Sequence, residues 1–406
     1  MLRQKPGTAK YLSCNIFDDA ITKEEILKNN TFTINLSQDE ISIDKSQASR
    51  YPFHRDYLKI LKTLEISNYP FVGSSTKYNV TFTDLDKIDK EKIPLLLPIK
   101  DNQELLEFTL SNLSSNEVMS VANVTVLDDR SEDPDSMRKL CRKYGAIYVR
   151  IEYDTPYFNF SMLNNIGAYL YNKLNFSEVV FWNADLWTPD ASTFPNLINK
   201  HHQYRESGTR LCGAKLLYPS HGFCDLLDPE RTYKEMSQDF RIDLEEIKAM
   251  EPFGKVQFGG GSFRVMPEYF DNSHPICGSP YHFGRFLDKS EKAVNMDRET
   301  RFVTGAFQIV DLPTFVEVGG FCPSLSCSMQ DIDLCLRFWE TFNKVTLIGK
   351  DIHLYHGESV ILSSKLEDDP SSLKHKSGAY KDKLISDEVL YSMLWNFDFF
   401  SGRLPA

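Results

Sequence analysis

The sequence predicts an α/β protein built on a mostly parallel central sheet with helices on both faces. Three observations carry this. Short apolar runs alternate with amphipathic segments between Ile93 and Trp182, the joins between them are short, and acidic residues gather where the runs end. In such sheets ligands bind outside the carboxyl ends of the strands.

Ile93-Pro-Leu-Leu-Leu-Pro98 is a continuous apolar run, the pattern of a strand buried on both faces. Residues 104–113 follow with Leu105, Leu106, Phe108, Leu110 and Leu113, which suits a helix. Residues 121–127 are a second strand, rich in β-branched side chains, ending in Asp128-Asp129. Asp133-Pro134 opens a helix with Pro in its first turn, and Gly145 closes it. Residues 146–153 form a third strand, 160–174 a third helix and 178–182 a fourth strand leading into Asn183-Ala-Asp185. Beyond these, 211–217 and 302–310 read as strands and 312–318 as a short helix before Gly319-Gly320. Residues 331–342 read as a helix and 344–348 as a strand ahead of His353 and His356.

Three regions follow. Residues 1–90 mix short β-like runs, such as 31–36, with charged stretches and form an N-terminal accessory region of no nameable fold. Residues 91–365 form the main domain, interrupted at 218–300 by an acidic, aromatic insertion. Residues 366–406 form a tail that turns aromatic from Tyr391 to Phe400 and reads as a helix packed on the rest.

Composition narrows the function. Of 406 residues, 41% are hydrophobic and 25% charged, which excludes a wholly disordered chain. The 46 Lys and Arg against 57 Asp and Glu leave a net charge of −11, which argues against a nucleic-acid partner. An anionic ligand would then need a local device to hold it, such as a metal ion. No apolar run reaches the roughly 18 residues of a membrane span, and the basic first ten residues have no apolar stretch behind them, so no signal peptide is expected. The eight Cys include no Cys-x-x-Cys pair, which suits reduced thiols in the cytoplasm.

Four places carry candidate chemistry. Asp185 follows a buried strand, where a carboxylate can hold a divalent cation against a diphosphate; capping of the helix after Pro189 and Asp190 is the competing reading. Asp128 and Asp129 suit hydrogen bonds to a base or ribose, with a simple loop and cap pair as the rival. Asp331 and Asp333 open a helix, where one carboxylate can take a proton from a hydroxyl or merely offset the helix dipole. His356 is a candidate metal ligand, with His353 and His282 as competitors.

The order of these pieces resembles the inverting glycosyltransferases of family 2, which have the GT-A fold. The resemblance covers about residues 91–360. It rests on Pro98, Asp128-Asp129-x-Ser131, Asn165-x-Gly167, Asn183-x-Asp185, Gly305, Val318-Gly-Gly-Phe321, Asp331-x-Asp333-Leu-x-Leu-x-Arg337 and His356. It implies a single nucleotide-sugar-binding domain in which Pro98, Asp128, Asp129, Asn165 and Asn183 serve the nucleotide. Asp185 and His356 would hold Mn²⁺ or Mg²⁺, and Asp331 would be the general base. Trp182, Trp187, Gly305, Asp333 and Arg337 would meet the substrates. The implied reaction is metal-dependent transfer from a nucleotide-diphosphate sugar to a glycan or lipid-linked glycan, of the cell-surface polysaccharide type. It would take place in the cytoplasm or, by peripheral attachment, at the inner face of the membrane.

The sequence departs from the family pattern at four places. Asn183 stands where many members have Asp, Gln330 where Glu precedes the base, Cys322 where Asp follows Gly-Gly-Phe, and Asn164 where Arg or Lys precedes Asn165. The departures leave the donor open and keep a degenerate, non-catalytic glycan- or nucleotide-binding module as the alternative. A nucleotidyltransferase or a Rossmann dehydrogenase fits less well, because no Gly-rich phosphate loop follows the first strand.

Overall fold

The structure, a computed structural model, describes residues 9–10, 22–37, 42–43, 75–154, 158–223, 226, 229–240, 242–265, 277–326, 328–342 and 344–357, together with Asp387, Leu390, Tyr391 and Trp395. In chain order it begins with β1 (Ala9–Lys10), α1 (Lys23–Asn29), β2 (Thr31–Ser37), β3 (Ser42–Ile43) and β4 (Ser75–Thr83). A capping box starts α1: the Thr22 side chain accepts from the Glu25 amide, and the Glu25 carboxylate accepts from the Thr22 amide.

The predicted alternation follows as β5 (Ile93–Ile99), α2 (Gln103–Ser115), α3 (Val118–Val121), β6 (Ala122–Asp129), α4 (Pro134–Tyr144), β7 (Ile147–Glu152), α5 (Phe160–Lys173) and β8 (Glu178–Trp182). Asp133 caps α4 by accepting from the Ser136 amide, and Gly145 ends it at φ 75°, a left-handed conformation that costs Gly little. Next come β9 (Leu186–Trp187), α6 (Thr193–Glu206), β10 (Leu211–Ala214), β11 (Leu216–Leu217), α7 (Pro229–Phe240) and α8 (Leu244–Ala249). Then β12 (Val256–Phe258), β13 (Gly261–Val265), β14 (Cys277–His282), β15 (Arg298–Glu299) and β16 (Phe307–Asp311) lead to α9 (Leu312–Glu317), α10 (Gln330–Phe342), β17 (Thr346–Ile348) and β18 (Leu354–His356).

Ten strands form the main sheet in the order β15-β17-β10-β16-β8-β5-β6-β7-β4-β2. The middle four, β8, β5, β6 and β7, run parallel, as expected of an α/β protein. β5, β6 and β8 are almost wholly buried, which is why they read as continuous apolar runs. β16 runs antiparallel to β8, so Phe307 at its start pairs with Trp182 at the carboxyl end of β8. A second sheet, β12-β11-β18-β9, stands at that end.

Three sequence expectations change. The run 211–217 is two strands in two sheets. Lys215 divides them because its amide donates to Ile348 while its carbonyl accepts from Leu354, so the chain changes partner from β17 to β18. The strand expected over 302–310 begins only at Phe307, since the Gly305 amide is turned aside to a side chain. Within residues 1–90, β4 pairs with β7 and β2 with β4, so this segment extends the central sheet. Tyr78, Val80 and Phe82 alternate into the core there.

The tail expected over 366–406 lies largely outside the described residues. Asp387, Leu390, Tyr391 and Trp395 are helical and buried, and the last three join the main core. Cys141, Cys212, Cys322 and Cys335 are free, buried thiols. Among the described residues, no helix is long and apolar enough to cross a membrane.

Candidate active site

The site forms where β8 ends and β16 begins. The Asn183 amide donates to the Ala306 carbonyl at 2.9 Å, and the Leu186 amide closes a turn back onto the Asn183 carbonyl at 3.2 Å. This turn carries Asp185 to the second sheet, where its carbonyl accepts from the Gly357 amide at 2.8 Å. Asp185 Oδ1 then lies 3.4 Å from His356 Nε2.

The ring of His356 is oriented by its neighbour. Gln257 Nε2 donates to the His356 carbonyl at 3.3 Å, which aims Gln257 Oε1 at His356 Nδ1, 2.7 Å away. An amide oxygen only accepts, so Nδ1 carries a proton, and Nε2 is the ring atom that faces Asp185. The 3.4 Å between the imidazole nitrogen and the carboxylate oxygen is close to the roughly 3 Å separating neighbouring ligands on a six-coordinate cation. A hard carboxylate oxygen beside an imidazole nitrogen is a donor set that suits Mn²⁺ or Mg²⁺. Among the described residues, no cluster of three or more His, Cys, Asp or Glu is placed to hold a metal. Two side chains alone are an incomplete set for such a cation, so the rest of its shell would have to come from ligand oxygens and water.

Asp331 stands in the first turn of α10, after a left-handed backbone at Met329 (φ 62°). Its Oδ2 accepts from the Gly305 amide at 2.7 Å and its Oδ1 from the Ile332 amide at 2.8 Å. Burial raises its carboxyl above the ordinary 3.8, outweighing these backbone bonds, which act to lower it. Gly305 and Ala306 are consecutive, so the chain leading into β16 links Asp331 to Asn183, two residues before Asp185.

The other sequence candidates take different places. Pro98 is buried within β5, opposite Leu127 of β6. Asp128 is wholly buried and fully engaged. Its Oδ1 accepts from the Ser131 amide and hydroxyl, and its Oδ2 from Tyr148 Oη at 2.6 Å and an Arg150 Nη at 2.9 Å. It braces the strand end and has no acceptor site left for a ribose. Asp129 is also buried, and burial raises its pKa; it pairs with Arg130 Nε at 2.8 Å. Arg130 in turn lies over the Tyr153 ring, 3.7 Å from its centroid. These two side chains, not the carboxylates, shield this strand end.

Asn165 is a clamp as well. Its Nδ2 donates to the Phe321 carbonyl and its Oδ1 accepts from the Phe321 amide, both at 2.8 Å, which ties the Gly-Gly-Phe segment to α5. Trp182 and Trp187 present no face to a sugar. Both are fully buried, and their indole N–H groups donate to the Leu186 carbonyl and to Thr109 Oγ1, each at 3.0 Å. Asp333 and Arg337 form an ion pair at 2.6 Å, and Arg337 also donates to the Val318 and Gly320 carbonyls at 2.6 Å. They lock α10 to the Gly-Gly segment instead of facing a ligand. His282 Nδ1 hydrogen-bonds Arg285, and burial with nearby lysines lowers His353 to about 4.

Gln257 is the functional neighbour that sequence reasoning missed. It lies in the 218–300 insertion, in no motif, and only pairing of β12 with β11 and of β11 with β18 brings it beside His356.

No family model matches the chain, and no curated protein matches it. Solved structures resemble its fold. One, described as GalNAc-T7 with UDP, GalNAc and Mn²⁺, shares 10% identity at a TM-score of 0.41, over 77% of this chain and 59% of that one. The chain therefore spans 59% of the length of that structure. The mannosyltransferase PcManGT from Pyrobaculum calidifontis, in complex with GDP-Man and Mn²⁺, shares 10% at a TM-score of 0.39, over 85% of this chain and 79% of that one. A structure described only as a mycobacterial protein shares 13% at 0.35, over 66% and 67%.

Proposed function

We propose that the protein is a GT-A glycosyltransferase that moves a sugar, with inversion, from a nucleotide-diphosphate donor to an acceptor hydroxyl. The observation that carries this reading is the connected arrangement at the carboxyl end of β8. Asp331 is bonded to Gly305, Ala306 to Asn183, and Asp185 faces His356. A base and a two-ligand cation site thus share one strand end, in the order the family resemblance requires.

In this reading Asp185 and His356 would hold Mn²⁺ or Mg²⁺, with Gln257 orienting the His356 ring so that Nε2 faces Asp185. The bound cation supplies positive charge for the departing diphosphate. Each Asp331 oxygen accepts one backbone bond and keeps a further lone pair for the acceptor hydroxyl. As the hydroxyl oxygen bonds to the anomeric carbon, the bond from that carbon to the diphosphate oxygen breaks, and the proton passes to Asp331. The acidic charge of −11 suits a donor held through a cation. The acceptor in this reading is a glycan or lipid-linked glycan of cell-surface polysaccharide type, reached in the cytoplasm or at the inner membrane face and shaped by residues 218–300.

A panel of UDP-, GDP- and dTDP-sugars, incubated with the full chain and Mn²⁺ or Mg²⁺, tests the proposal through released nucleoside diphosphate. Metal-dependent release from at least one donor is expected. Tight nucleotide binding without release from any donor would sink the catalytic reading and favour a binding module.

A further inference from the structure

Two contacts from the far end of the chain bracket the Asp331 segment. Asp387 Oδ2 accepts from the Ser328 amide at 3.1 Å, three residues before Asp331. Trp395 Nε1 donates to Asp333 Oδ1 at 2.9 Å, two residues after it. Asp387, Leu390, Tyr391 and Trp395 are all helical. All four are buried: Asp387 and Tyr391 are 0% exposed, Leu390 3% and Trp395 8%.

The segment they hold needs holding. Met329 is a non-glycine residue at φ 62°, a conformation that costs about 1 kcal/mol or more and persists only where its surroundings impose it. The Asp333 amide bonds back to the Met329 carbonyl at 2.9 Å, which starts α10. Asp387 fixes the residue before the left-handed turn. Trp395 fixes Asp333, whose other oxygen pairs with Arg337 and, through it, with the Val318 and Gly320 carbonyls.

We infer that Asp387 and Trp395 are positioning residues for Asp331, so that docking of the C-terminal segment sets the geometry of the base. The inference rests on the reading of Asp331 as the base. Neither residue touches the reacting atoms in that reading; Asp387 acts through the Ser328 backbone before Asp331 and Trp395 through the Asp333 side chain after it. Displacement of a catalytic group by about 1 Å costs on the order of a hundredfold in rate, so partial loosening should be visible in turnover while donor binding stays intact.

The test uses the full chain and the variants Asp387→Ala, Asp387→Asn and Trp395→Phe. Donor turnover is measured as kcat and KM, and hydrogen exchange is followed at residues 328–333. Asp387→Ala and Trp395→Phe should lower kcat about tenfold, leave donor KM within about twofold, and speed exchange at 328–333. Asp387→Asn keeps an acceptor oxygen and should restore most of the kcat. Trp395→Phe keeps an aromatic ring in place, so it reports even if Asp387→Ala fails to fold. Parent-like kcat in Trp395→Phe and in a folded Asp387→Ala overturns the inference, as does a loss in KM alone or unchanged exchange at 328–333. A parent chain that consumes no donor would instead refute the proposed function, a separate outcome from an active parent whose variants match it.

Discussion

Gly305 and Asp331 meet at a distance that excludes any larger residue at position 305 without a shift. The Gly305 amide donates to Asp331 Oδ2 at 2.7 Å, and a Cβ on Gly305 would come within 3.2 Å of Asp331 Cβ. Gly305→Ala should therefore push the base aside, lowering kcat about tenfold while the melting temperature changes little. Steady-state kinetics and a thermal melt on one sample check both halves. The complementary variant, Asp331→Asn, should lose a factor of about 10² to 10⁴ in turnover and still bind nucleotide.

The ionisation of Asp331 sets the direction of the pH dependence. Burial raises its carboxyl above 3.8, and a base works only when ionised. The acid limb of kcat/KM should therefore lie above 3.8, with activity rising as pH rises. Stability moves the other way. A carboxyl whose folded pKa is raised favours folding while protonated, and that advantage is lost as pH rises through the folded pKa. Asp331→Asn should thus be at least as stable as the parent at pH 7, which a denaturant titration reads directly.

Gln257 is expected to matter for metal affinity without touching the metal. Losing the partner that fixes a ligating histidine typically costs 10- to 100-fold, on the order of the effect expected for Gln257→Leu. Calorimetric titration of nucleoside diphosphate with and without Mn²⁺ measures it. Asp185→Ala should remove the Mn²⁺ dependence altogether, and equal parent affinities in the two conditions would refute the cation site.

Asp128 braces the sheet, and its variants should behave accordingly. Asp128→Ala leaves the Tyr148 hydroxyl without its partner and costs Arg150 one of its two carboxylates, Glu152 remaining, a change worth about 1 to 3 kcal/mol. Chemical denaturation should show a loss of that order. The folded fraction should bind nucleotide as the parent does, in contrast to a residue that contacts the ribose.

At the opposite end of β8, burial acts to raise the Glu178 pKa, but bonds to His201 and His202 win and hold it near 2. Arg205 also pairs with this carboxylate, at 2.9 Å. A carboxyl lowered in the folded state stabilises it above the ordinary 4.5 and loses that contribution as pH falls through about 2. Between pH 5 and pH 2 the parent should lose more stability than Glu178→Gln, as thermal melts across that range would show.

The central strands were legible because their signals are local. The apolar runs of β5, β6 and β8, the Asp133-Pro134 start of α4 and the Gly145 stop depend on residues within a turn or two of each other. The places of Asp185 after β8 and of Asp331 at the start of α10 were legible for a similar reason, since the pattern marks that strand end and that helix start. The β-like run at 31–36 is β2, but β4 escaped notice although Tyr78, Val80 and Phe82 alternate, because a single nine-residue strand carries few periods.

The sequence by itself determined the α/β class, the succession of strands and helices from β5 to β8 and which carboxylates follow those strands. Tertiary structure decided what each of those carboxylates faces. Asp128 and Asp185 both lie at strand ends, yet Asp128 is consumed by Ser131, Tyr148 and Arg150, while Asp185 faces a histidine held by Gln257 from 99 positions away. The physical reason is that a buried carboxylate must satisfy its acceptors from whatever donors the fold brings near, and those donors come from other strands.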